Sequence, residues 1–486
     1  MSRRTKIVAT IGPASESPES LKALIAAGAD VCRLNLSHGT VEEHLARLRA
    51  VRDAAASSGR HVAVLADLPG PKIRAGSFPE GGVDLAPGSV VRFVPGDAPS
   101  SAHQISVDYD DLLTDVVMGD RIILGDGGIS LRVVSVTGDA VLAEVESGGK
   151  TQGRPGVHLQ CEGFTLRAPT AEDLELAEQM AVAGVDYIAL SFARSAADID
   201  ALRAVVGDRA RILAKVETGS AIAAIAEIAD AADAVMVARG DLGIDVALED
   251  VPHLQKRIIR HCVEVGTPVV TATQMLESMI DAPTPTRAEV SDVANAVFDG
   301  TDAVMLSGET AIGRDPALVV RTMATIAERA EREADYRQWG TRLVRAQRGR
   351  ADGTAELDDS EFVADRISES IAHAAWQAAD DVGASTIICC TRSGRCARNM
   401  ARFRPAARLL GISPHESTRR ALALSWGVEP LAVDEAASTD EMVWFAVERA
   451  VAGGWVAAGD TVVVIAGAPD RASGAAADVM RIVRVG

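Results

Sequence analysis

Aromatic side chains are scarce in this chain: Phe, Trp and Tyr together make up 3% of its 486 residues. Its cores must therefore be built mainly from Val, Ile, Leu and Ala. Cysteine is sparse too, with six in all, and the vicinal pair Cys389 and Cys390 inside ASTIICCT does not resemble a disulfide framework. Reduced thiols in a cytoplasmic protein are the simpler reading. No run reaches the roughly 18 unbroken apolar residues of a membrane helix. The short apolar run of MSRRTKIVATIG leads straight into a strand pattern, unlike a signal peptide. Basic residues are in deficit: 49 Lys and Arg against 68 Asp and Glu leave a formal charge of −19. That balance argues against a general nucleic-acid surface, which needs basic patches. An anionic ligand has to be caught by a local cluster of cations, or a metal, working against the global field. What is present, 48% hydrophobic and 24% charged residues, suits a globular chain long enough for two to four domains.

Short β-branched runs followed by helical periodicity recur eight times. They are KIVATIG from Lys6, VCRLNLS from Val31, VAVLADL from Val62, YIALSF from Tyr187, RILAKVE from Arg211, AVMVARG from Ala234, PVVTAT from Pro268 and AVMLSG from Ala303. Helical segments such as SPESLKALIAAG, TAEDLELAEQMAVAG and AIAAIAEIADAA lie between them, several opened by Ser, Thr, Asp or Pro. Eight βα units in series predict an α/β protein with a (β/α)8 TIM barrel, over 1–70 and 168–345. Between Pro71 and Arg167 helical periodicity gives way to alternating strands and turns. This predicts an inserted β-barrel domain, 71–167, placed over the catalytic face as a lid. The polar segment ADGTAELDDSEF puts a boundary near Asp358, and 358–486 read as a C-terminal α/β domain with strands STIICCT, RLLGIS, EPLAV and TVVVIAG. Its TRSGR turn, Thr391 to Arg395, follows a strand and opens a helix. That makes it a candidate phosphate cradle, with a plain strand-to-helix turn as the alternative.

The carboxyl ends of barrel strands carry the chemistry, and here polar residues collect there. Arg33, Asn35 and Ser37 close the second strand, Asp67 the third and Ser191 the fourth. Lys215 and Glu217 close the fifth, Arg239 and Asp241 the sixth, Thr273 the seventh, and Ser307 and Glu309 the eighth. In ILAKVETGS, Lys215 and Glu217 stand two positions apart and so project to one side of a strand. Glu217 and Asp241, at equivalent places on neighbouring strands, are hard carboxylates of the kind that hold Mg²⁺ while waters and a ligand complete its octahedron. No Cys or His cluster accompanies them, which disfavours zinc. Lys215 is then a fixed cation beside the metal. The alternative is an internal Lys215–Glu217 salt bridge, costly to bury without further contacts. Lysine, metal and Arg33 together describe a site for phosphoryl transfer or for holding an enolate, both of which develop negative charge on oxygen. Thr273 adds a hydroxyl able to pass on a proton.

The strings KIVATIGPAS, CRLNLSHG, MVARGDLG, ATQMLESM, PTRAEVSDVANAVFDGTDAVMLSGETA and TRSGRCARNMARFRP are long and specific, and through them the chain is similar to the pyruvate kinase family over nearly its whole length. The resemblance implies the reaction of phosphoenolpyruvate with ADP to give pyruvate and ATP. It implies Mg²⁺, with Mn²⁺ as a substitute, on Glu217 and Asp241. Lys215 resembles the residue that stabilises the phosphoryl group and enolate, and Arg33 the arginine on the transferred phosphoryl group. Ala238, Arg239 and Gly240 resemble the backbone turn that holds the substrate carboxylate with Thr273. Asn35, His38 and Arg74 match positions on the nucleotide side, and Thr273 and Ser307 the proton-delivery route. A homotetramer is also implied.

Several departures bear on function. Many family members need K⁺ and carry a glutamate two residues before the arginine of this loop; here the loop is DLPGPKIR, with Lys72 in that place. A tethered ammonium in the region of Asn35, Ser37 and Asp67 predicts an enzyme that needs no K⁺, the alternative being a solvated loop lysine. GRPGVHLQCEGF replaces the family's lysine before GVNLPG, with Arg154 as a substitute contact. GAPDRASGAAAD lacks the family's threonine-asparagine pair, so a phosphorylated-metabolite effector at Thr391, Ser393 and Gly394 is a hypothesis. Two other readings stand beside this one. A magnesium-dependent aldolase or lyase making a pyruvate enolate needs the carboxylates, but not Arg33, His38 and Arg74 together or a lid. A metabolite sensor with an inert barrel would have lost Lys215 or a carboxylate.

Overall fold

Strands of Val, Ile, Leu and Ala that are buried on both faces leave no side for water, and closing the sheet on itself satisfies them. The computed structural model describes residues 3–125, 127–161, 167–336, 339–341, 343, 360–467 and 477–486. Three strands open the chain: β1 (Lys6–Ile11), β2 (Val31–Asn35) and β3 (Ala63–Asp67). The chain then leaves for β4 (Val83–Leu85), β5 (Val90–Pro95), β6 (Gln104–Val107), β7 (Arg121–Leu124), β8 (Ile129–Val136), β9 (Val141–Ser147), β10 (Gly149–Thr151) and β11 (Val157–Gln160). It returns with β12 (Tyr187–Leu190), β13 (Arg211–Val216), β14 (Ala234–Ala238), β15 (Val269–Ala272) and β16 (Ala303–Leu306). β1 to β3 and β12 to β16 form a closed barrel in which every pairing is parallel, as the sequence predicts.

The helices between strands begin and end on local signals. Thr40, Thr170 and Thr286 cap helices Val41–Ser58, Ala171–Ala183 and Arg287–Asp299 through reciprocal bonds with Glu43, Asp173 and Glu289. Each of the three ends on a left-handed glycine. The segment AIAAIAEIADAA differs from its predicted single helix: it is split into Gly219–Ala223 and Ile225–Ala231 where Ala224 leaves helical geometry.

Among its described residues the insertion has one short helix and is otherwise strands and turns, a six-stranded sheet β11-β7-β8-β9-β5-β6 beside the pair β10-β4. It surrounds its own core of residues such as Phe93, Ile105, Leu131 and Val141. After helix Ser360–Asp381, the last sheet runs β17 (Thr386–Cys390), β18 (Arg408–Ser413), β19 (Val428–Ala432), β20 (Thr461–Ala466) and β21 (Val479–Arg484), in the order β19-β18-β17-β20-β21. β21 is an antiparallel edge strand beyond the four strands expected; its half-exposed VMRIVR lacks the apolar continuity of a buried strand. The boundary expected near Asp358 lies outside the described residues.

Two docking contacts set up the site. The C-terminal sheet unit closes the amino end of the barrel: Ala421, Ala423 and Leu424 join the barrel's interior cluster, and Tyr187 Oη donates to Ala421 O at 2.9 Å. The insertion meets the opposite end, where Gln160 reaches the segment after β14. Among the described residues no helix is long and apolar enough to cross a membrane, and the six cysteines are free.

Candidate active site

At the carboxyl end of β13 the run RILAKV keeps its strand through Val216, so Lys215 is fixed and Glu217 is the first residue beyond it. Lys215 Nζ donates to Ser191 Oγ at 2.8 Å and lies 2.8 Å from Glu217 Oε1 and 3.4 Å from Asp67 Oδ1. Ser191 Oγ donates to Leu68 O at 2.8 Å, which leaves its lone pairs for the ammonium. The salt bridge held open as an alternative is therefore present, but it is one edge of a network. Asp67 also accepts from Arg33 Nε at 2.6 Å, and Arg33 Nη1 donates to Thr10 Oγ1 at 3.1 Å. Glu217 Oε2 accepts from Phe192 N at 2.6 Å. To present that N–H, β12 ends at Leu190 and Phe192 takes φ 56°, a left-handed conformation unusual for a bulky residue. Gly70 is required beside this turn, because a Cβ on it would stand 2.7 Å from Ser191 Cβ.

Burial acts against the charges of Lys215, Asp67 and Glu217, and their partners overcome it at the first two. It pulls Lys215 down, but Asp67 and Glu217 overcome it and hold the ammonium well above its ordinary value. It raises Asp67, which Lys215 and Arg33 nonetheless keep below the usual carboxylate range. Glu217 is pushed up by burial, with Lys215 pulling against it and the like charge of Asp241 adding to the rise. Asp67 Oδ1 and Glu217 Oε1 are buried and both face the single ammonium of Lys215. Such oxygens suit a cation. Among the described residues no three His, Cys, Asp or Glu side chains cluster as a metal cage, so an ion on Glu217 and Asp241 would complete its shell with water and ligand oxygens.

The opposite wall is a strained turn. Thr273 and Gln274 have φ 70° and 52°. Thr273 Oγ1 accepts from Gly240 N at 2.8 Å and donates to Ala272 O at 2.6 Å. Arg239 does not face the mouth: its guanidinium donates to Ala272 O at 3.2 Å, Thr273 O at 2.6 Å and Asp292 Oδ1 at 2.8 Å, clamping the turn from behind. Asp292 is a partner the sequence reading missed, since nothing local links it to residues 53 positions away. Arg239, Gly240 and Asp241 belong to the short helix Arg239–Asp245 rather than to β14. Ser307 N donates to Glu309 Oε2 at 2.6 Å, and Glu309 Oε1 accepts from Leu276 N at 3.1 Å, so Glu309 ties the Ser307 turn to the Thr273 segment. Burial holds the Glu309 carboxyl up.

A cleft of about 620 Å³ opens above, between barrel mouth and insertion. Lys72, Arg74 and Asp241 line it, with His158, Arg194 and Ser220, which the sequence reading did not single out. Ser220 follows Glu217 in ETGS and was within reach of the same argument. Asn35 and His38 lie outside the described lining: Asn35 Oδ1 accepts from Ser37 N at 3.3 Å, and His38 O lies 2.9 Å from His44 Nε2. Lys72 Nζ donates to Ser37 Oγ at 3.1 Å. Its pKa is lowered by burial and by the charge of Lys215. Arg154 lies at the cleft edge, its carbonyl accepting from Arg74 Nη1 at 3.4 Å. Far from the cleft, Thr391 Oγ1 accepts from Gly394 N at 2.9 Å and Ser393 O accepts from Arg211 Nη2 at 2.8 Å, which joins that loop to the foot of β13.

Comparison with known proteins identifies the family. Residues 2–320 match the family model "Pyruvate kinase, barrel domain" and residues 369–483 match "Pyruvate kinase, alpha/beta domain". The pyruvate kinase of Geobacillus stearothermophilus is 42% identical over 477 residues, covering 96% of this chain and 78% of that protein. That of Corynebacterium efficiens is 40% identical over 477 residues, covering 98% and 96%, and that of Mycobacterium tuberculosis 39% over 472 residues, covering 96% of each. These matches set aside the lyase and sensor readings. With a parallel eight-stranded barrel, a β insertion above its mouth and two family models spanning most of its length, the chain belongs to the pyruvate kinase family of phosphotransferases.

Proposed function

We propose that the cleft transfers the phosphoryl group of phosphoenolpyruvate to ADP, with Mg²⁺ held by Glu217 and Asp241. Lys215 carries this reading: a partly buried ammonium bonded to Ser191, paired with Glu217 and Asp67, and facing the field of Asp241. The family uses a divalent metal, and such an ion, when bound, neutralises charge on the phosphoryl and enolate oxygens. Lys215 and Arg33 hold the phosphoryl oxygens as the bond from phosphorus to the enol oxygen breaks and the bond to a terminal ADP oxygen forms. The turn Ala238–Gly240 with Thr273 receives the substrate carboxylate. Thr273 and Ser307 then deliver a proton to the enolate carbon, giving pyruvate. Asn35, His38 and Arg74 serve the nucleotide. This reading assigns the reaction to 1–70 with 168–345 beneath the lid 71–167, and subunit contacts of a homotetramer to 358–486. The test is ATP formation from phosphoenolpyruvate and ADP, in which Lys215→Met is expected to fall by roughly 10²-fold to 10³-fold or more. Equal rates would remove the assignment.

Lys72 supports a second element of the proposal, that no K⁺ is needed. Its ammonium, 3.1 Å from Ser37 Oγ, already occupies the region of Asn35, Ser37 and Asp67 where a monovalent ion would supply charge. With tetramethylammonium as the only monovalent cation, the rate should stay within about twofold of that in K⁺; a strong K⁺ requirement contradicts this. Regulation at Thr391, Ser393 and Gly394 is checked by screening phosphorylated metabolites for a shift in the phosphoenolpyruvate saturation curve.

A further inference from the structure

The short helix Arg239–Asp245 has work at both ends. Its first turn presents Gly240 to Thr273 and Asp241 to the cleft. Its last carbonyls, which lack partners within the helix, meet the insertion: Gln160 Nε2, at the end of β11, donates to Ile244 O at 2.5 Å and to Asp245 O at 3.2 Å. Gly127 of the insertion approaches the same place, since a Cβ on it would lie 3.7 Å from Ile244 Cγ1. The side chain of Asp245 turns back to accept from Gly219 N at 2.6 Å, two residues beyond Glu217. One seven-residue element therefore touches the lid and the strained turn, carries Asp241, and holds the backbone two residues beyond Glu217.

We infer that Gln160 is a positioning residue that latches the inserted domain onto this helix, so that closure of the lid and placement of Asp241 are set together. The inference rests on the site reading above. Because phosphoenolpyruvate is assigned to barrel residues on the floor while Arg74 and His158 line the cleft from the insertion, loss of the latch acts first on nucleotide. Gln160→Met keeps the length and removes the donor. The Michaelis constant for ADP is expected to rise roughly fivefold, the factor one neutral hydrogen bond is ordinarily worth. That for phosphoenolpyruvate should move less than about twofold. Amide hydrogen exchange should quicken across 217–220 and 239–246 and stay unchanged in β17 and β18, a local pattern that general loss of stability does not give. Gln160→Lys restores a donor to the same carbonyls and should return both readouts toward wild type, whereas Gln160→Glu places a carboxylate against them and should not. Wild-type kinetics and exchange in Gln160→Met overturn the latch, as does a lysine variant no better than the glutamate one. If the methionine variant loosens throughout, the lysine and glutamate pair decides. Asp241→Asn at the wild-type rate would instead overturn the site reading, a result independent of what Gln160 does to exchange.

Discussion

The two rims of the barrel use the same residue types to opposite ends. At the amino rim an aspartate precedes each even-numbered barrel strand, in GADV, GVDY, ADAV and TDAV. Asp30 accepts from Ile7 N and pairs with Arg3 and Arg60; Asp186 accepts from Val64 N and pairs with Arg52 and Arg420. Asp233 accepts from Ile212 N and pairs with Arg203; Asp302 accepts from Val269 N and pairs with Arg404. Each carboxylate has both a backbone donor and a cation, and two of the four bind the C-terminal unit in place. At the carboxyl rim Glu217 also has a backbone donor, Phe192 N, and a cation, but that cation, Lys215, is shared with Asp67 and bonds Ser191 as well. Three of the four non-glycine residues at positive φ among the described residues also lie there. Carboxylates with arginines of their own lock neighbouring strands together; two that share one lysine at the catalytic face of a barrel lie where the proposed function puts its ligand chemistry.

Neutralising one carboxylate from each rim separates them most sharply. Glu217→Gln should lower kcat by roughly 10²-fold to 10³-fold. Its cost in thermal stability should be small, because burial and Asp241 disfavour the ionised form against the pull of Lys215, and Lys215 keeps Asp67 as a partner. Asp302→Ala should do the reverse. It leaves Arg404, whose side chain is 1% exposed, without its anion; breaking such a pair costs about 3–5 kcal/mol. Urea unfolding measures that loss, and the Michaelis constants of the folded enzyme should be unchanged. A stable Asp302→Ala protein with altered kinetics would erase the distinction between the rims.

How far this contrast could be read from the sequence depends on the range of the interactions. The barrel was legible because each strand is a short run of branched residues buried on both faces, and because threonine caps and terminal glycines punctuate the helices. Lys215 and Glu217 were legible because two charges ending an apolar run are unusual. Arg239 was expected beside Thr273, but its role as a clamp depends on Asp292, a partner fixed only by folding. The same holds for Gln160 on Ile244 and for the left-handed Phe192, whose strain is imposed by the Glu217 carboxylate across the rim. β21 escaped because an edge strand with exposed Arg481, Ile482 and Arg484 has the alternation of a tail.

Acid should weaken the amino rim. Burial alone would raise Asp30, but Arg3, Lys6 and Arg60 hold its carboxyl below the unfolded value of 3.8. A depressed folded pKa gives stability that is fully present above the unfolded pKa and lost as pH falls through the folded one. Asp30→Asn should therefore be less stable than wild type at pH 7, and the two should converge as pH falls, over a window of roughly pH 5 to 2. Unfolding free energies measured across that range check it. Parallel curves would mean that Asp30 acts by shape and not by charge.

The smallest effect tests whether strain at the carboxyl rim is used. Gln274 is exposed and sits at φ 52°, next to Thr273. Glycine adopts that conformation freely, so Gln274→Gly removes backbone strain of about 1 kcal/mol while adding entropy to the unfolded chain. The net expectation is a gain of a few tenths of a kcal/mol, read as a slightly higher Tm. Arg239 would still grip Ala272 O and Thr273 O, but against a turn free to leave the geometry that aims Thr273 Oγ1 at Gly240. A fall in kcat of about twofold to fivefold with that gain in Tm would mean that the rim gives up stability to hold the hydroxyl in place. A higher Tm with kcat unchanged would mean that Arg239 alone fixes Thr273, and that the positive φ of Gln274 is only how the chain turns from β15.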